Sequence, residues 1–333
     1  MLPAFHRGAM EGYGRLMVGV AGATSDRWLG TSSVDLAAEM QGLTMTVAGR
    51  AFFGTDYDEA DATAVRLAVA AIASENPLVS LLAPFRRTGR ERDLLHAFVE
   101  RLIDARIASG LGGDLLSLLL SVDGADAPEG RARVHDQVLT ILVAGHDTIA
   151  HALAWTWIAL ARAPDIERAL HRELDEVLNG RLPEARDAEH LSYTRAVFAE
   201  SLRLFPPAAI TTRLALEDCE FDGQPVRAGT IVVASQYLVH RDPRFFGDPL
   251  RFDPGRWLAP PSPPRPKLAY FPFGAGPRAC IGEGFAWMEA VLLLAVLAGR
   301  WRVRPAHLDA IERETRVTLR PKPPLPARLE RRR

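Results

Sequence analysis

One cysteine of this chain stands where a thiol can become a metal ligand. Cys280 lies in the run FPFGAGPRACIGEGFA, Phe271 to Ala286, between a glycine-rich loop and the apolar stretch Phe285 to Leu297. Gly274, Gly276 and Gly282 are expected to give loop conformations open mainly to glycine and to let the backbone come close to a flat ligand. Unpaired N–H groups at the start of the following helix are expected to lower the thiol pKa and hold the sulfur as an anion. Phe273 offers a ring to cover that sulfur, and Arg278 a fixed positive charge for an anionic substituent nearby. The other cysteine, Cys219, sits among Glu217, Asp218, Glu220 and Asp222, which disfavours its thiolate. Two cysteines make no disulfide framework, so Cys280 is the better placed of the two to bind a metal.

Three more groups could do chemistry, although each has a plain alternative when read alone. Asp147 and Thr148 follow the small pair Ala144 and Gly145 in LVAGHDTIAHALAW, so a helix there can lie close to a ligand where its backbone is bare. Alone, such an acid and alcohol read as a solvated or back-bonded polar pair. Glu200 and Arg203, in AESLRLFPP, are spaced i, i+3 on one helix face that two prolines end at Phe205. Alone, they read as a surface pair worth a few tenths of a kcal/mol. Arg213 falls in TTRLALEDCEFDGQPVRAGTIVV, whose alternation and Asp222–Gly223 turn signal strands joined by a tight turn. It reads either as an exposed strand arginine or as a partner for a ligand's acid.

The pattern FxxGxRxCxG is met at Phe273, Gly276, Arg278, Cys280 and Gly282, and it resembles the heme-binding loop of the cytochrome P-450 family. An anionic sulfur under an apolar lid is what a heme iron needs for electron push toward O–O cleavage. The segments around Asp147, Glu200 and FDPGRW follow the family's order. The resemblance implies that Cys280 is the axial ligand of the iron of heme b, iron protoporphyrin IX, with Phe273, Gly274 and Gly282 beside the ring. It makes Arg278 and Arg213 partners of the heme propionates. It places Ala144 and Gly145 at a distal oxygen-binding groove where Thr148 holds a water and Asp147 passes protons. It gives Glu200, Arg203 and Arg256 to a structural charge network that braces the cysteine loop from behind. Two positions depart from the family: Ile149 replaces the second hydroxyl, and Gly255 stands where a glutamate is usual.

Helical periodicity runs through residues 11–28, 34–53, 60–74, 90–108, 134–161, 164–178 and 194–204. Strands are expected only near Arg213 and in the C-terminal RVTLRPKPPLPARLERR. The expected fold is therefore mainly α with small β-sheets, a single domain over 1–333 resembling the cytochrome P-450 fold with its N-terminal part absent. The opening MLPAFHRGAMEGYGRLM looks like a stretch that follows the family's upstream propionate-binding helix, so the roof of the substrate pocket is expected to be missing. With 333 residues, 48% of them hydrophobic, the chain can bury a large core. A net charge of −1 without a long basic run excludes nucleic acid as an expected partner. The longest apolar pieces, such as Val138 to Gly145 and Val291 to Gly299, fall short of a bilayer span. Since no secretion signal opens the chain, a cytoplasmic protein with no membrane partner is expected.

The resemblance implies a heme-dependent monooxygenase of bacterial type. It would place one atom of O2 into a C–H or C=C bond of a small apolar substrate. Electrons would come from a separate ferredoxin or flavodoxin-type donor with its reductase, as the sequence shows no flavin or iron–sulfur domain. Ile141, Ala144, Ala208, Ala209, Ile210 and the turn at Pro323 and Pro324 are the expected substrate contacts. The alternatives are a truncated non-catalytic remnant with weak or no heme binding, and a peroxide-driven peroxygenase. The pair Asp147 and Thr148 argues against the last, because such members of the family typically lack it.

Overall fold

The computed structural model describes residues 7–57, 61, 63, 65, 89–124, 127–315 and 317–332. The helix expected at 60–74 lies, apart from residues 61, 63 and 65, outside the described residues. The helices are α1 (Arg7–Arg27), α2 (Leu36–Phe53), α3 (Gly89–Ser109), α4 (Leu115–Asp123), α5 (Pro128–Ala144), α6 (Asp147–Arg162), α7 (Pro164–Leu178), α8 (Ser192–Leu204), α9 (Gln236–Val239) and α10 (Glu283–Arg300). The strands are β1 (Ser33–Asp35), β2 (Thr211–Leu214), β3 (Cys219–Phe221), β4 (Gln224–Val226), β5 (Ile231–Ala234), β6 (Trp301–Pro305), β7 (Arg313–Thr315), β8 (Leu319–Pro321) and β9 (Pro326–Arg331). The fold is mainly helical with small sheets, as the periodicity implies.

Local chemistry explains most boundaries. Asp35 caps α2 by accepting from the N–H groups of Ala37 and Ala38 at 3.0 and 3.3 Å. Helix α8 stops at Leu204, where Pro206 and Pro207 follow Phe205. Strands β3 and β4 are antiparallel and joined through Asp222 and Gly223. Both turn residues have positive φ, 50° and 74°, the geometry that the Asp-Gly pair signals.

Three expectations about elements are corrected. The single helix of 134–161 is two, α5 and α6, broken at Gly145 and His146. The His146 ring takes the Leu142 carbonyl at 2.7 Å, an acceptor that the His146 N–H would hold in an unbroken helix. Together Pro128–Arg162 forms a helical stretch long and apolar enough by composition to cross a membrane, although the expectation was that none would be. Over its most apolar window 56% is buried inside the protein, and α6 is the central core helix. Strands also occur beyond the expected regions, since β1 and β6 pair antiparallel with the two edges of β9 in the order β1-β9-β6. Helix α4 was not expected; Asp114 caps it at Ser117 N–H, 2.9 Å away.

The core is built around α6 and α10, whose side chains are buried on nearly every face. Ala150, Ala152, Ala154 and Ala159 keep α6 thin, and Ala290, Ala295 and Ala298 do the same for α10. Trp155 stacks on Phe205 with centroids 4.3 Å apart and donates its indole N–H to the Leu319 carbonyl at 3.2 Å. That contact ties α6 to the hairpin of β7 and β8.

Candidate active site

The cysteine loop is shaped before its helix begins. Gly274 and Gly276 hold φ at 73° and 72°, a region that side chains rarely adopt, and the Cys280 N–H closes the loop on the Phe273 carbonyl at 2.9 Å. Gly282 differs from expectation: its φ is −89° and it caps α10. A Cβ there would lie 3.9 Å from Cys280 Sγ, an ordinary contact, so neither backbone nor space requires a glycine. Phe273 packs against Trp287 of α10 at 5.8 Å between centroids.

The Cys280 thiol is pushed above its ordinary pKa, contrary to expectation. Burial is the largest cause and the Glu283 carboxylate adds to it, while the Gly282 N–H pulls the other way. The helix start does act in the expected sense, but desolvation wins. Both cysteines have surface open, Cys219 on β3 and Cys280 on its loop, so the desolvation of Cys280 comes from the protein atoms packed around a thiol that is not closed off.

Cys280 opens onto a cavity of about 620 Å³ that α5, α6, β2, the cysteine loop and α10 enclose, a size usual for cofactor and ligand sites. Phe273, Gly274, Arg278 and Gly282 line it from the loop side, and Ala144, Gly145 and Thr148 from the helix side. Gly145 is tight as well as bare, because a Cβ would meet the Ile141 carbonyl at 2.7 Å and the Phe52 ring at 3.2 Å. Arg213 enters from β2, where its Nη1 donates to the Thr212 carbonyl at 2.8 Å. Among the described residues neither Arg213 nor Arg278 forms a salt bridge. Of the expected substrate contacts, Ile141, Ala144 and Ala208 line the cavity; Ala209, Ile210, Pro323 and Pro324 do not.

Thr148 and Asp147 face different ways. Thr148 lines the cavity, with its hydroxyl donating to the Ala144 carbonyl at 3.0 Å. Asp147 is not among the lining residues. Its Oδ2 instead accepts from Thr318 Oγ1 at 3.1 Å and lies 3.3 Å from His151 Nδ1. Sequence reasoning had no means to see Thr318, 171 residues away.

Behind the loop, Glu200, Arg203 and Arg256 come together. Both Glu200 oxygens accept from Arg203 at 2.8 Å, and Arg256 Nε reaches Oε1 at 3.2 Å. The Asp253 N–H and the Trp257 indole complete the carboxylate at 2.9 Å each. Arg203 also donates to the carbonyls of His240, Pro249 and Arg251. His240, to which the sequence assigned no chemistry, links the network to the loop: its Nε2 accepts from the Phe271 N–H at 2.9 Å. Burial and the charges of Arg203 and Arg241 push the His240 pKa down to about 3, so the ring is neutral and able to accept.

A further residue escaped the sequence reading. Glu289 of α10 borders the cavity, is fully buried, and has no hydrogen-bond partner for either oxygen among the described residues. Burial raises its pKa well above the usual carboxylate range. The available signal was a lone acid inside the apolar run Phe285 to Ala298.

Comparison with known proteins agrees with this geometry. The family model described as Cytochrome P450 matches residues 2–329. Cyclooctatin synthase of Streptomyces melanosporofaciens is 40% identical over 317 residues, 91% of this chain and 69% of that protein. Cyclooctat-9-en-7-ol 5-monooxygenase of the same organism is 37% identical over the same shares. Pentalenene oxygenase of Streptomyces avermitilis is 34% identical over 339 residues, 96% of this chain and 76% of that protein. The crystal structure of the cytochrome P450DA heme domain superposes with a TM-score of 0.85 at 27% identity, covering the whole chain and 76% of that structure. The chain belongs to the cytochrome P450 family, and so to the heme-dependent monooxygenases.

Proposed function

We propose that the cavity holds heme b, with Cys280 as the iron's axial ligand, and that the chain oxygenates a small apolar substrate. The observation that carries this reading is the donor set: one thiol on the cavity wall and two guanidinium groups, Arg213 and Arg278, without carboxylate partners among the described residues. A flat apolar ring with a metal at its centre and two acids at its edge fits that set. Bound there, heme supplies dioxygen activation and the transfer of one oxygen atom to a C–H or C=C bond.

The chain's own residues bind, orient and handle protons. Gly145 and Ala144 let α5 and α6 approach the ring closely, and Phe52, Phe273 and Phe285 keep water from it. Thr148 Oγ1, now donating to the Ala144 carbonyl, would turn to hold a water in the cavity and hand a proton on through it. Asp147 relays the replacement proton, its carboxylate taking one up and passing it on toward Thr148. Ile149 supplies no second hydroxyl, so Thr148 carries this alone.

Electrons come from a separate ferredoxin or flavodoxin-type donor with its reductase, in the cytoplasm. Ile141, Ile149 and Ala208 offer an apolar surface to the substrate. The names of the relatives, pentalenene oxygenase and cyclooctat-9-en-7-ol 5-monooxygenase, support a terpene-like ring compound. The domain is read as one unit over 1–333, since a single buried cluster runs from Tyr13 to Leu329.

A non-catalytic module that binds heme weakly is the second reading, and one observation favours it. Leu214 and Ile231, on the strands beside Arg213, are 56% and 65% exposed. Hemin titration separates the two readings. Tight one-to-one binding, lost in Cys280→Ala, with product formed on reduction supports the enzyme. Weak binding without product supports the module. In the enzyme, Thr148→Ala should retain heme while diverting electrons from product to hydrogen peroxide, about 10-fold or more if proton transfer is catalytic.

A further inference from the structure

We infer that Thr318 and His151 are positioning residues for Asp147, setting the rotamer of its carboxylate from the side of the β7–β8 hairpin. This rests on the reading of Asp147 as a proton-handling acid. Three buried polar groups meet from two distant parts of the chain: Asp147 is 9% exposed, His151 2% and Thr318 7%. The Thr318 hydroxyl lies 3.1 Å from Asp147 Oδ2 and 3.0 Å from His151 Nδ1, and Nδ1 lies 3.3 Å from Oδ2.

Counting protons fixes the arrangement. The Thr318 hydroxyl has a single proton and donates it to Asp147 Oδ2. A bare Nδ1 would then set its lone pair against both oxygens. The His151 ring therefore carries its proton on Nδ1 and donates to Thr318 Oγ1 and to Oδ2. Burial lowers the His151 pKa, in keeping with a neutral ring. Two donors converge on one carboxylate oxygen, and Asp147, the first residue of α6, also has the positive end of that helix beside it.

The consequence is directional. Thr148, next in the chain, faces the cavity, whereas Asp147 is held away from it. The hairpin thus determines when and in what orientation the acid can reach toward the Thr148 side. No motif reveals this, because Thr318 lies just before β8, far along the chain, and His151 reads as one more residue of a core helix.

The test replaces the hydroxyl and reads two things. In Thr318→Val, the slowly exchanging His151 Nδ1–H resonance should shift or be lost, and the share of electrons recovered as product should fall several-fold with hemin loading unchanged. Thr318→Ser, which keeps the hydroxyl, should restore both. If Thr318→Val alters neither while Asp147→Asn abolishes coupling, the positioning role is wrong and the role of Asp147 survives. If Asp147→Asn leaves coupling intact, the proton-handling reading fails, and the His151 resonance alone decides whether Thr318 fixes the carboxylate. Should Thr318→Val not fold, Asp147→Asn must still move the His151 resonance, and an unmoved resonance overturns the inference.

Discussion

Behind the cysteine loop, charge is buried and fully matched, whereas in front of the cavity apolar surface is open to water. Glu200 and Arg203 are wholly buried, yet each oxygen and each guanidinium nitrogen of the pair meets a partner. On β2 and β5, by contrast, Leu214, Ile231 and Val233 are more than half exposed, and among the described residues the two strands pair only with each other. The difference shows where this chain encloses its site by its own side chains and where it does not. The rear of the loop is held by the buried charge network, and the front wall leaves apolar side chains in water.

Removing one rear partner should have the largest effect. Glu200→Ala leaves two arginines buried and unmatched, and should lower unfolding free energy by about 3–5 kcal/mol in urea titrations. Replacing the exposed Glu312, which pairs with Lys322 at the surface, should leave stability unchanged within error. If the two variants behaved alike, the contrast between matched interior and open front would collapse.

Glu289 is one of several buried groups with polar atoms that lack a hydrogen-bond partner among the described residues, and it sharpens the point. A buried carboxyl without a partner costs stability, so Glu289→Leu should stabilise the heme-free chain by about 1–3 kcal/mol at neutral pH. The pH dependence carries the sign. Its folded pKa is raised, so between the unfolded value and the folded one the native state holds the extra proton. Stability contributed by that proton is full below the unfolded pKa and is lost as pH rises through the folded one. The Leu variant should lack that decline.

Histidines act in the opposite window. Burial pushes both His240 and His171 down to about 3, while the unfolded chain takes up protons below about 6.5. The unfolded state therefore binds more protons as pH falls from that value toward 3, and stability should drop by up to about 1.4 kcal/mol per pH unit for each ring. Urea midpoints measured across this range in His171→Leu should fall less steeply than in the parent chain.

At the front, Ile231→Thr with Val233→Thr should change stability by less than about 0.5 kcal/mol. Self-association by light scattering should nonetheless fall, because an apolar edge is a template for pairing. Unchanged association would place the sticky surface elsewhere.

Much of this was legible in the sequence, for a physical reason. Loop glycines, a helix-ending Pro-Pro and the Asp222–Gly223 turn act over a few residues, so spacing reveals them. The break at Gly145 and His146 stayed hidden because a side chain, not a proline, takes the carbonyl. Desolvation of Cys280 and the meeting of Asp147 with Thr318 depend on packing between distant segments, which no local pattern records. His240 became informative only once the Phe271 N–H was seen to end on its ring.

The reduced carbon monoxide difference spectrum tests the identity of the iron ligand most directly. The parent chain and Cys219→Ala should both give the thiolate-ligated signature, and Cys280→Ala should lose it. Retention of that signature in Cys280→Ala, or its loss in Cys219→Ala, would contradict the assignment of Cys280 to the metal.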